Sequence, residues 1–95
     1  MARRRFVVAY DIRDPHRLRE VHRTAKRYGY ALQYSVFICD LGEQDLIRLK
    51  WDMGEVIHDD QDEVVIIDLG DARDTARFDF MGRHSTLPRQ GPTII

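Results

Sequence analysis

Ninety-five residues are enough for one compact domain with a modest core, and a hydrophobic content of 43% excludes a disordered chain. One cysteine, Cys39, excludes an internal disulfide, and no apolar run reaches bilayer-spanning length, so the chain reads as soluble and cytoplasmic. The net charge of −1 conceals a polarity. Residues 1–39 carry nine Lys or Arg against three acids, a net of +6, while residues 40–95 carry six against thirteen, a net of −7. Thirteen of the fifteen cations are arginine, whose fork fits phosphate oxygens. Such a chain can bind nucleic acid on one face without being basic as a whole.

Met1-Ala2-Arg3-Arg4-Arg5 begins like a signal peptide, but Asp11 interrupts the apolar run too early for one. Phe6 to Asp11 reads as a strand, apolar at successive positions, so both of its faces should be covered. Asp14-Pro15 starts a helix, with Asp14 as N-cap. Leu18, Val21, Ala25 and Tyr28 form its buried stripe, and Gly29 is expected to close it as the C-cap. Leu32 to Leu41 is extended, either as one strand or as two broken near Tyr34-Ser35.

Gly42 stands at the N-cap of a second helix, Glu43 to Ile57. Leu46, Leu49, Met53 and Val56 make its stripe, with Ile47 and Trp51 expected to widen it. His58 to Asp62 is an acidic loop, Glu63 to Leu69 a strand apolar on both faces, and Gly70 to Asp74 a turn. Phe78, Phe80 and Met81 are expected at a strand edge, and Thr93-Ile94-Ile95 ends the chain as a β-branched segment.

The order predicts an α+β, ferredoxin-like βαββαβ sandwich over residues 1–95, with its core at about 5–69. Two helices cover one face of such a sheet. Strands apolar on both faces therefore call for a second copy, a homodimer whose sheet the tail, residues 70–95, completes as an extra C-terminal strand.

Asp11 closes the first strand as a lone carboxylate. It is either a ligand for a hard cation, which a twofold axis would pair with a second Asp11, or the cap of the following turn. Arg13, Arg17, Arg19, Arg23 and Arg27 are candidate phosphate contacts, with helix solvation as their alternative role. Tyr10 either orients substrate or lies in the core. Tyr34 and Phe37 either stack on bases or pack a core or interface. The four histidines and Cys39 lack zinc-ligand spacing, and Cys39 is expected to be an inert buried thiol.

Taken together, Tyr10-Asp11-Ile12, the helix start Asp14-Pro15-His16-Arg17-Leu18-Arg19, the stop at Tyr28-Gly29 and the strand Gln33-Tyr34-Ser35-Val36-Phe37 resemble a known family. It is the second core CRISPR-associated protein, the small subunit of the spacer-acquisition complex, also described as a metal-dependent endoribonuclease. The likeness runs from about Arg5 to Leu69, and Leu87-Pro88 and Gly91-Pro92 before a β-branched end are similar to tails in that family.

The resemblance implies a ferredoxin-like homodimer in which Asp11 of each subunit holds Mg²⁺ or Mn²⁺ at the interface. It implies phosphodiester hydrolysis in single-stranded RNA, or in duplex DNA, and a scaffold that bridges integrase subunits. Tyr10, Asp11, Arg17 and Phe37 fall on the family's functional positions, and Arg19 lies in a helix whose arginine placement varies. One departure stands out. Tyr30, Ala31 and Leu32 occupy the stretch where many members carry an arginine, which predicts weak cleavage. The same fold also admits a non-catalytic DNA-binding dimer or a ribonuclease toxin.

Overall fold

The computed structural model describes residues 3–74 and 78–83. The elements follow as β1 (Arg4–Asp11), α1 (Pro15–Lys26), β2 (Tyr30–Gln33), β3 (Val36–Leu41), α2 (Glu43–Val56) and β4 (Glu63–Asp71). The sheet order is β2-β3-β1-β4 with every pairing antiparallel, the expected ferredoxin-like arrangement. The extended run from Leu32 to Leu41 is two strands, broken at Tyr34-Ser35.

Local chemistry accounts for α1. The Asp14 carboxylate accepts from the Arg17 N–H at 2.9 Å, and Pro15 occupies the first turn, where its missing N–H costs nothing. Val21 and Ala25 are fully buried, with Leu18 and Tyr28 packed beside them. On the sheet, Phe6, Val8 and Tyr10 from β1, Phe37, Cys39 and Leu41 from β3, and Val64 and Ile66 from β4 meet the helices. The alternate residues of β1 and β4 face the other way, where Val65 and Ile67 are 40% and 48% exposed. The sheet thus presents an apolar face that the two helices leave open.

Arg5 and Asp40 are ladder partners on that second face. Their bidentate ion pair, with both contacts at 2.7 Å, opposes a slip of β1 against β3, because a slip would strand two charges. Arg5 is wholly buried, and its Nη1 has no partner among the described residues.

Three expectations are corrected. Ile47 and Trp51 do not widen the stripe of α2: they are 58% and 71% exposed, because Leu46, Leu49, Met53 and Val56 alone face the core. Gly29 is not the C-cap of α1, a place taken by Arg27, and it needs no positive φ. It is required by close approach, since a Cβ there would lie 2.2 Å from the Ile38 carbonyl oxygen and 2.6 Å from Cys39 Sγ. Phe78, Phe80 and Met81 are not in a strand; the two phenylalanine rings stack on each other with centroids 6.2 Å apart. The expected C-terminal strand at Thr93-Ile94-Ile95 lies outside the described residues.

Candidate active site at the end of strand β1

The pleat of β1 sends Tyr10 into the core and Asp11 to the opposite, open face, so these sequence neighbours do not share a surface. Asp11 is exposed, and its carboxylate has no hydrogen bond or ion pair among the described residues. It does not cap the turn that follows. The Arg13 N–H is taken by Asp62 and the Arg17 N–H by Asp14. The β1–β4 register sets Asp11 directly opposite Glu63. Two like charges facing each other across a ladder destabilise it, and a cation held between them would relieve that cost. The donor set fits a hard cation that keeps several waters and uses one or two protein carboxylates. Among the described residues no group of three or more His, Cys, Asp or Glu side chains gathers as a ready-made cage.

Behind Asp11 the chain is held by a buried carboxylate. Asp62 accepts from Arg13 N at 2.9 Å, His58 N at 2.8 Å, Arg17 Nε at 2.7 Å and Arg17 Nη2 at 3.1 Å. These bonds, the guanidinium first, hold its carboxyl far below the usual carboxylate range. Arg17 also donates to the Gln61 side chain at 3.0 Å. The guanidinium expected to meet a substrate phosphate is thus engaged by Asp62 and Gln61.

Tyr10 and Phe37, the other expected catalytic residues, are core residues. Phe37 is 0% exposed and touches no solvent. The Tyr10 hydroxyl donates to the Tyr34 carbonyl at 2.6 Å and lies 3.1 Å from His22 Nδ1. Burial pushes this phenol up to about 12, so it stays protonated. Tyr34 is half exposed and stacks on His22, ring centroids 3.9 Å apart and nearly parallel. Of the expected phosphate cations, Arg23 pairs with Glu20 at 2.6 Å and Arg27 with Asp52 at 3.0 Å. Arg13, Arg19 and Lys26 are exposed, with no ion pair among the described residues.

Asp62 and Glu63 were the residues that sequence reasoning passed over. Asp62 ends a run that reads as an acidic loop, and Glu63 begins the strand read after it. The available signal was a carboxylate next to an apolar strand, here at the start of β4 where Asp11 stands at the end of β1.

A family model described as CRISPR associated protein Cas2 matches residues 4–77. The chain belongs to the Cas2 family. A relative from Rhodospirillum rubrum named CRISPR-associated endoribonuclease Cas2 1 is 40% identical over 91 residues, covering 94% of this chain and 89% of the relative. The CRISPR-associated endoribonuclease Cas2 of Geobacter sulfurreducens is 37% identical over 67 residues, 70% of each chain. Among solved structures, the Thermus thermophilus hypothetical protein TT1823 superposes with a TM-score of 0.79 at 28% identity, covering 88% of this chain and 96% of its own. Streptococcus pyogenes Cas2 superposes with a TM-score of 0.74 at 26% identity, covering 82% and 99%. The residues matched by the family model span all four strands and both helices, and so include Asp11, Asp62 and Glu63. No helix among the described residues is long and apolar enough to cross a membrane.

Proposed function

We propose that this Cas2 chain is a metal-dependent endonuclease of single-stranded RNA, with duplex DNA as a second substrate, acting as a homodimer in CRISPR spacer acquisition. The observation that carries the reading is the exposed Asp11 carboxylate, without a partner among the described residues and set opposite Glu63. The endoribonuclease names of the R. rubrum and G. sulfurreducens relatives support nuclease chemistry and RNA as substrate. The open apolar face around Val65 and Ile67 supports a twofold partner, which would bring a second Asp11 to the site. The same dimer would bridge integrase subunits, a role that family membership supports, and it would work in the cytoplasm, in keeping with its one buried, unpaired cysteine.

Asp11 and Glu63 would hold Mg²⁺ or Mn²⁺. When bound, that ion supplies positive charge at a phosphoryl oxygen and a water that ionises more readily. The chain's own residues bind and orient. Arg13 and Arg19, exposed and without an ion pair among the described residues, are cations left to meet backbone phosphates. Tyr10 and Phe37 keep the end of β1 rigid from beneath.

A second reading rests on the arginines. With Arg17, Arg23 and Arg27 already paired, few cations remain for transition-state charge, which favours a non-catalytic dimer that binds duplex DNA. Wild type and Asp11→Ala, each given single-stranded RNA and duplex DNA with Mg²⁺ or with chelator, separate the two. Cleavage that needs both metal and Asp11 supports the nuclease. Duplex binding without cleavage, unchanged in Asp11→Ala, supports the scaffold.

A further inference from the structure

Asp62 joins the two chain segments that carry the exposed carboxylates. It bonds the Arg13 N–H, two residues beyond Asp11, and it immediately precedes Glu63. A second bond, from the His58 N–H at 2.8 Å to the other carboxylate oxygen, closes the loop between α2 and β4, and the Asp62 N–H returns to the His58 carbonyl at 2.8 Å. Arg17 comes from the first turns of α1 and completes the set with two N–H bonds to one carboxylate. The Asp62 side chain is wholly enclosed, whereas Asp11 and Glu63 are exposed.

A carboxylate so placed does not reach a ligand. It fixes the exit of β1 and the entry of β4 to one point, and that fixes Asp11 opposite Glu63. We infer that Asp62 is the positioning residue of the carboxylate pair, and that Arg17 serves the site through Asp62 rather than by touching substrate phosphate.

Three physical arguments carry this. Two exposed like charges across a ladder push the strand ends apart, so something else must hold them. The ladder itself ends at Asp11–Glu63, where pairing frays, and the Asp62 bonds lie just beyond that end. A guanidinium making a two-bond fork to a buried carboxylate gives up that fork to meet a phosphate only by leaving a buried charge unpaired. Outer partners that orient metal ligands typically change metal affinity by about 10–100-fold when removed.

This inference rests on the proposed cation site at Asp11, and the experiment separates the two. Mn²⁺ binding is titrated by electron paramagnetic resonance on wild type, Asp11→Ala, Asp62→Asn and Arg17→Gln, without substrate. Amide exchange at Arg13 and the melting temperature are read on the same samples. Wild type is expected to bind Mn²⁺ and Asp11→Ala to lose it. Asp62→Asn is expected to bind about tenfold more weakly or worse, with faster exchange at Arg13. Arg17→Gln is expected to shift both in the same direction by less, because the Arg13 and His58 bonds remain.

Normal Mn²⁺ affinity in a folded Asp62→Asn or Arg17→Gln protein overturns the inference. So does an Arg17→Gln protein with unchanged metal affinity and a severalfold higher KM for RNA, which would make Arg17 a substrate contact. Absent Mn²⁺ binding in wild type overturns the cation site and the inference built on it. Faster Arg13 exchange in Asp62→Asn would then show that the clasp alone survives. Should Asp62→Asn fail to fold, Arg17→Gln decides.

Discussion

Cys39 and Asp62 are both enclosed, and their surroundings drive them in opposite directions. The thiol lies among Phe6, Phe37 and the close-packed Gly29 backbone, where burial pushes it up to about 12. Native protein at neutral pH is therefore expected to leave Cys39 unreacted with a disulfide reagent, and unfolded protein to react at once. Burst labelling of native protein would contradict this. Asp62 is held down instead, by the Arg17 fork and the Arg13 and His58 N–H groups. Its folded value lies below its unfolded one, so its contribution is complete above the ordinary carboxylate range and is lost as pH falls through and below that range. Urea midpoints at pH 7 and pH 3 are expected to differ less in Asp62→Asn than in wild type. Some acid sensitivity should persist in the variant, because Asp14, Asp68 and Asp71 are lowered as well. Equal differences would show that Asp62 gains nothing from its partners. Asp11 was legible in the sequence because an apolar run ends on it. Asp62 was not, because its partners Arg13 and Arg17 arrive from 49 and 45 residues away.

Helices and strands obey local rules until packing intervenes, and two glycines separate the cases. Gly54 lies in α2 with nothing within 4 Å of where a Cβ would stand. Alanine there should stabilise the protein by about 0.5–1 kcal/mol, since only backbone freedom is lost. Gly29 faces the Ile38 carbonyl and Cys39, so alanine should cost about 2 kcal/mol or more. Chemical denaturation of the two variants checks both signs, and equal effects would refute the packing argument. The same contrast explains what was readable. The N-cap, first turn and stripe of α1 are local signals, and they were read correctly. The break at Tyr34-Ser35 depended on β3 pairing with β1 on one side and β2 on the other, so the run of β-formers left it open. The width of the α2 stripe depended on where the sheet lies, and Ile47 and Trp51 fell outside it.

On the scale of the molecule, a four-stranded sheet with helices on one face keeps apolar side chains exposed at the β4 edge of its other face. Val65 and Ile67 stand on that face beside the half-buried Val7 and Ala9. Ile67→Asp is expected to give a folded protein with the mass of one chain in sedimentation, where wild type is expected to have twice that mass; a dimeric variant would place the interface elsewhere. The βαββαβ order was legible because each apolar period is punctuated by Asp14-Pro15, Gly29 and Gly42. The cross-strand pair of Asp11 with Glu63 was not, because it depends on the register in which β4 pairs with β1 rather than on composition. That pair is the centre of this account, and Asp11→Asn tests it most directly, since it keeps the size of the side chain and removes only its charge. The measurement is the rate of single-stranded RNA cleavage in Mg²⁺ by wild type and Asp11→Asn proteins of equal melting temperature. A loss of about a hundredfold or more is the expected result, equivalent to about 2.7 kcal/mol of transition-state stabilisation. Equal rates would contradict the account, since cleavage would then not depend on the Asp11 carboxylate.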